Sequence, residues 1–109
     1  MRPSFRLLQH ACRITMFSRE NCGLCDKAKT VLSRVWDRRP FEYKEYDVMK
    51  HEDKGWKDLY EFDTPVIHIK ASSEQEENPS LAGQARKLMH RFTEEEVEKA
   101  MDEAEKKKS

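Results

Sequence analysis

The sequence predicts a three-layer α/β fold, β-α-β-α-β-β-α, built on a four-stranded mixed sheet. Three observations carry this expectation. A short apolar run, Ile14-Thr15-Met16-Phe17, stops at Ser18-Arg19-Glu20-Asn21, and Cys22-Gly23-Leu24-Cys25 then opens a helical pattern. A second strand pattern follows that helix, so the two strands read as a crossover pair, hence parallel. Two further strand patterns follow one another without a helix between them, which reads as an antiparallel hairpin, and a capped helix closes the chain.

Each element has its own signal. The first strand runs from about Cys12 to Phe17, short, apolar and β-branched. The first helix carries Leu24, Ala28, Val31, Leu32, Val35 and Trp36 on one side, with Lys27, Lys29, Thr30, Ser33 and Arg34 on the other. Asp37-Arg38-Arg39-Pro40 ends it, with basic residues in the last turn and proline beyond. Phe41 to Val48 alternates as a second strand, with a slip at Glu45-Tyr46 that suggests a bulge or an early end. His51 to Glu61 holds Trp56, Leu59 and Tyr60 at helical spacing, with Gly55 blurring its start.

Asp63-Thr64-Pro65 leads into a third strand, Val66-Ile67-His68-Ile69; proline is tolerated where a strand begins because its missing N–H is needed least there. Residues 71–86 read as a mobile acidic insertion, longer than a hairpin requires. Lys87 to Phe92 is a weaker fourth strand. Thr93 and Glu96 form a capping box for the last helix, whose apolar stripe is Val97, Ala100, Met101 and Ala104. Lys106-Lys107-Lys108 lies at the negative end of that helix dipole and reads as a solvated helix end.

Composition narrows the function. The 109 residues suit one domain, at 12–109, preceded by a basic extension at 1–11. Arg2, Arg6, Arg13 and Arg19 precede the first acidic residue, Glu20, so the extension reads either as a frayed terminus or as a mitochondrial targeting segment. The 21 basic and 21 acidic residues cancel, which argues for neither nucleic acid nor a membrane surface as partner. A mean hydropathy of −0.99 and the lack of a long apolar run argue against a membrane span. Three cysteines suit a reducing compartment, cytoplasmic or mitochondrial.

The chemistry is expected at Cys22 and Cys25. Two cysteines one helical turn apart can close a small disulfide ring. At the helix start, unpaired N–H groups and the dipole favour a thiolate on Cys22, the attacking species. Arg19 adds to that preference and Glu20 opposes it. Cys25, a turn deeper, is the shielded partner. A structural zinc site needs four ligands, whereas Cys12 and four scattered histidines are all that remain. Cys12 reads as a small core or edge residue, His68 and His90 as satisfied or surface histidines. No metal or bound cofactor is expected.

The strand-helix dithiol, the helix order and Pro65 together resemble the thioredoxin fold, from Arg13 to the last helix. More narrowly, Phe17-Ser18-Arg19 with Cys22-Gly23-Leu24-Cys25 resembles a small fungal and animal group of glutaredoxin-like proteins. The resemblance implies Cys22 as nucleophile and Cys25 as resolving thiol. It places Arg19 where a Lys usually lies near the glutathione carboxylate, and Gly23 and Leu24 where Pro and Tyr are usual. It implies a cis Thr64-Pro65 bond, with the Thr64 backbone offered to a peptide-like substrate. It implies glutathione as co-substrate, yet the Gly-Gly…Asp turn that holds its γ-glutamyl end is replaced by Arg91-Phe92-Thr93-Glu94-Glu95. The expected activity is dithiol exchange by a monomer, on a disulfide-containing or glutathionylated protein or a small thiol. Two other classes compete: a module bridging an iron–sulfur cluster, and a redox-inert interaction domain of the same fold.

Overall fold

A computed structural model describes residues 11–74 and 77–108. The extension at 1–11 therefore lies outside the described residues except for Ala11, as do Gln75 and Glu76 of the acidic segment. The elements are β1 (Cys12–Ser18), α1 (Gly23–Arg38), β2 (Glu42–Asp47), α2 (Gly55–Tyr60), β3 (Val66–Ala71), a 3-10 helix (Pro79–Gln84), β4 (Lys87–Met89) and α3 (Glu94–Lys108). The sheet order is β2-β1-β3-β4, with β1 and β2 parallel and both β1–β3 and β3–β4 antiparallel. This is the thioredoxin-like mixed sheet that the sequence predicts.

Alternation along β1 and β3 divides the interior into two layers. Ile14, Met16, Ile67 and Ile69 face α1 and α3, where Leu32, Val35, Val97 and Met101 complete one core. Phe17 and Val66 point the other way, toward Trp56 and Tyr60 of α2 and Ala82 of the 3-10 helix. The Phe17 ring anchors that second layer, with ring centres 4.4 Å from Trp56, 4.7 Å from His68 and 5.2 Å from Tyr60. β1 is central, so all seven of its residues are buried.

The capping box holds: Thr93 N–H donates to Glu96 Oε1 at 2.8 Å, and Glu96 N–H to Thr93 Oγ1 at 3.1 Å. All four residues of the α3 stripe are buried.

Several local expectations are corrected. β2 pairs with β1 one residue to one from Arg13↔Glu42 to Ser18↔Asp47, so there is no bulge at Glu45-Tyr46. β2 is an edge strand with one neighbour, and its irregular polarity reflects partial exposure. Trp36 is 46% exposed and leaves the core stripe, its indole N–H donating instead to the Phe41 carbonyl at 3.1 Å. α2 begins at Gly55 rather than His51, after a turn in which the Gly55 N–H donates to Asp53 Oδ1 at 2.9 Å. Within it Leu59 is 42% exposed and does not join Trp56 and Tyr60 inside. β4 stops at Met89, since His90 takes a left-handed conformation with φ 62° that breaks the ladder.

Among its described residues, the acidic segment contains a 3-10 helix and one buried carboxylate. Glu77 reaches under the sheet with a side chain only 1% exposed. Its Oε1 lies 2.7 Å from His68 Nδ1 and 3.6 Å from Lys70 Nζ, and its Oε2 accepts from Thr15 Oγ1 at 3.2 Å. His68 Nε2 shares a 2.7 Å hydrogen bond with the Tyr60 hydroxyl. Burial opposes ionisation of Glu77, but the hydrogen bond and charge of His68, with Lys70 and Thr15, outweigh it and hold the carboxyl below its usual range. His68 is thus the satisfied core histidine expected from its strand.

Candidate functional site

The site forms where β1 hands over to α1. Asn21 has φ 58°, a left-handed conformation that Asn tolerates better than most residues, and it turns the chain into the helix. Cys22 is then the N-cap, extended at φ −114° and ψ 100°, with its carbonyl accepting the first helical bonds from Cys25 and Asp26. Its sulfur accepts the Cys25 N–H at 3.1 Å, in the way that a capping oxygen does.

Cys22 and Cys25 are joined as a disulfide with their Cα atoms 5.2 Å apart. Their exposures differ sharply: Cys22 is partly open, whereas Cys25 is 2% exposed and belongs to the core under α1. A partly exposed cysteine is therefore bonded to a buried one. Such an asymmetric pair at a helix N-terminus lets an incoming thiol or disulfide meet one sulfur only.

Thr64-Pro65 closes the other side, with a cis peptide bond between them. Thr64 Oγ1 lies 3.8 Å from Cys22 Sγ. Pro65 is buried, and its carbonyl accepts the His90 N–H at 2.7 Å, which ties the turn after β4 to this segment. Four sequence-predicted residues, Cys22, Cys25, Thr64 and Pro65, thus meet in space. Gly23 opens α1, and apart from its chain neighbours and its own helix backbone nothing lies within 4 Å of where a Cβ would stand. Leu24 lines a separate shallow groove with Lys27, Val31, His90, Arg91 and Phe92.

Arg19 does something the sequence did not suggest. Its guanidinium donates to the Glu61 carbonyl at 2.8 Å, clamping the loop before Thr64 to the segment before Cys22. Glu20 pairs with Lys50 at 2.8 Å, whose hydrogen bond and charge hold its carboxyl below the usual range. Glu94 is engaged by Arg38 at 2.9 Å and Arg34 at 3.7 Å. Two rim residues escaped sequence reasoning: Phe62, which is 86% exposed, and Asp63, whose carboxylate faces His90 Nε2 at 3.6 Å. An isolated Phe in a loop carries no pattern that separates a surface residue from a core one.

Cys12 stands apart. It is 1% exposed, and its thiol points at Glu105 Oε2, 3.3 Å away. Burial, then the hydrogen bond and charge of Glu105, push its pKa up to about 12. Among the described residues, no three His, Cys, Asp or Glu side chains cluster as a metal site, and no helix is long and apolar enough to cross a membrane.

Fold and site together define a thioredoxin-like domain with a dithiol at a helix start. The chain belongs to the glutaredoxin-like domain family (DUF836), which it matches over residues 13–102. Among solved structures it is similar to a structural-genomics target protein, XcR50, from X. campestris, with 19% identity, a TM-score of 0.58, and 84% of this chain and 97% of that chain covered. It is also similar to a malarial protein, with 9% identity, a TM-score of 0.61, and 87% and 98% covered. Likeness at these identities speaks to the fold alone.

Proposed function

We propose that this protein is a thiol–disulfide oxidoreductase of glutaredoxin-like type, working through Cys22 and Cys25. The observation that carries the reading is the half-open Cys22 sulfur, aimed at by the Cys25 N–H at a helix N-terminus and bonded to a buried partner sulfur.

In the reduced protein, that N–H and the helix dipole favour a thiolate on Cys22. The thiolate attacks one sulfur of a substrate disulfide or of a glutathionylated cysteine. The substrate S–S bond breaks, and the departing thiolate takes a proton from water. Cys25, once deprotonated, attacks Cys22 Sγ, and the second substrate thiolate leaves. The substrate gains two electrons, and the protein is left with the Cys22–Cys25 disulfide. Thr64 and Pro65 form the wall opposite Cys22; Gly23 lines the cavity beside Cys22, and Arg19 holds the wall in place. Glutathione is a weaker candidate co-substrate than a protein disulfide, because no glycine pair follows β4 to form an anion-binding nest.

The test is site-resolved alkylation of the reduced protein across pH, with turnover of hydroxyethyl disulfide. Cys22 is expected to titrate below the ordinary thiol value of about 8.5. Cys22→Ser is expected to abolish turnover, and Cys25→Ser to accumulate a mixed disulfide. A Cys22 that titrates as an ordinary thiol and forms no disulfide with Cys25 on oxidation refutes the reading.

A further inference from the structure

We infer that Phe62 is a specificity-determining residue of this site, and that it selects a protein substrate whose reactive cysteine sits in an extended segment beside apolar side chains. The inference rests on the oxidoreductase reading above and names its substrate class.

Phe62 is 86% exposed, the most exposed large apolar side chain in the described structure. Covering that ring with an apolar side chain of a docked partner removes its area from water, which is favourable. Its place is specific. Phe62 lies two positions before Thr64, so their Cα atoms are at most about 7 Å apart. Thr64 Oγ1 is 3.8 Å from the sulfur that would bond the substrate. An extended segment advances about 3.3 Å per residue. On a substrate cysteine joined to Cys22, the neighbours two or three residues away are thus at the distance that reaches Phe62 when the segment runs along the Thr64 side.

The loop that presents the ring is pinned on both sides. Arg19 holds the Glu61 carbonyl at 2.8 Å, and the Asp63 N–H donates to the Tyr60 carbonyl at 2.9 Å. Leu59, near the end of α2 and three residues earlier, is a second exposed apolar side chain, at 42%. A backbone held in place loses little freedom on docking, which suits its aromatic side chain to anchor a partner.

This chemistry separates the candidate substrates. Glutathione has two carboxylates, an amine and no apolar side chain, so it leaves Phe62 uncovered. A peptide with leucines near its cysteine covers it.

The experiment compares two dimeric peptide disulfides, one with leucines at the two and three positions flanking cysteine, one with serines there. Hydroxyethyl disulfide serves as a third substrate, with dithiothreitol as reductant. Wild type is expected to reduce the leucine peptide with a kcat/KM about tenfold above that for the serine peptide, a loss typical of removing one interface anchor. Phe62→Ser is expected to remove that preference through KM, with hydroxyethyl disulfide turnover and the Cys22–Cys25 reduction potential unchanged. Equal rates on both peptides, a preference that survives in Phe62→Ser, or a uniform fall on all three substrates would each overturn the inference and leave the oxidoreductase reading standing. A wild type that reduces none of the three substrates would overturn both.

Discussion

Replacing Glu77 with Ala should cost this protein a large part of its stability while sparing the disulfide. The Glu77 side chain is 1% exposed and contacts His68, Lys70 and Thr15. Removing it leaves the fully buried His68 Nδ1 and the buried Thr15 hydroxyl facing a void, and leaves Lys70 without this carboxylate. Breaking one side of a buried ionic pair costs about 3–5 kcal/mol. For a domain of this size each kcal/mol lowers Tm by about 4–8 °C, so the variant should melt at least about 12 °C below wild type. Glu77→Gln keeps the shape and an acceptor, and should lose less.

The pH dependence separates charge from shape. The Glu77 carboxyl is held below its usual value in the folded protein. A depressed carboxyl adds stability that is fully present above its unfolded value, about 4.3, and is lost as pH falls through the folded value. Thermal melts of wild type and Glu77→Gln, followed by far-ultraviolet circular dichroism from pH 7 to 2.5, should therefore converge below about pH 4. Cys22 alkylation in Glu77→Gln should match wild type, because Glu77 packs in the layer opposite α1. A Glu77→Ala variant melting within about 4 °C of wild type would refute the reasoning, as would a Glu77→Gln deficit independent of pH.

Three further outcomes follow from other contacts. Native reduced protein treated with iodoacetamide near pH 8 should be modified at Cys22 and not at Cys12, whose pKa is raised to about 12 by burial and Glu105; Cys12 should react only once urea unfolds the chain. Gly55→Ala should lower the urea midpoint, since its Cβ would stand 2.8 Å from Pro79 Cβ, and overpacking of that kind costs about 1–3 kcal/mol against a helix-propensity gain of at most about 1. Thr93→Ala should lower Tm by about 4–8 °C through loss of about 1 kcal/mol of capping, and Thr93→Ser should restore most of it.

What the amino-acid sequence determined alone is what depends on neighbours along the chain. A strand handing over to a helix, two cysteines one turn apart, Thr93 and Glu96 in a reciprocal cap, and the α3 stripe all lie within a few residues of their partners. Backbone periodicity and side-chain reach settle them before any folding. Hence Cys22 at the N-cap and the sheet's strand pattern were readable in advance, with the cis Thr64-Pro65 bond implied by resemblance.

The tertiary structure decided whatever depends on partners distant along the chain. Glu77 belongs to a stretch as polar as any solvated loop, yet His68, Thr15 and Lys70 give it a buried seat. Trp36 fits a helical stripe by spacing, but α1 turns it toward the Phe41 carbonyl and water. Arg19 looks like a partner for an anion, but 42 residues on the Glu61 carbonyl takes it. Phe62 is as apolar as a core residue, yet it stands in solvent two positions before Thr64 while Tyr60 and Trp56 take the places inside. Close packing admits one set of side chains into each layer, and which set it is becomes fixed only when β1, β3 and α2 meet.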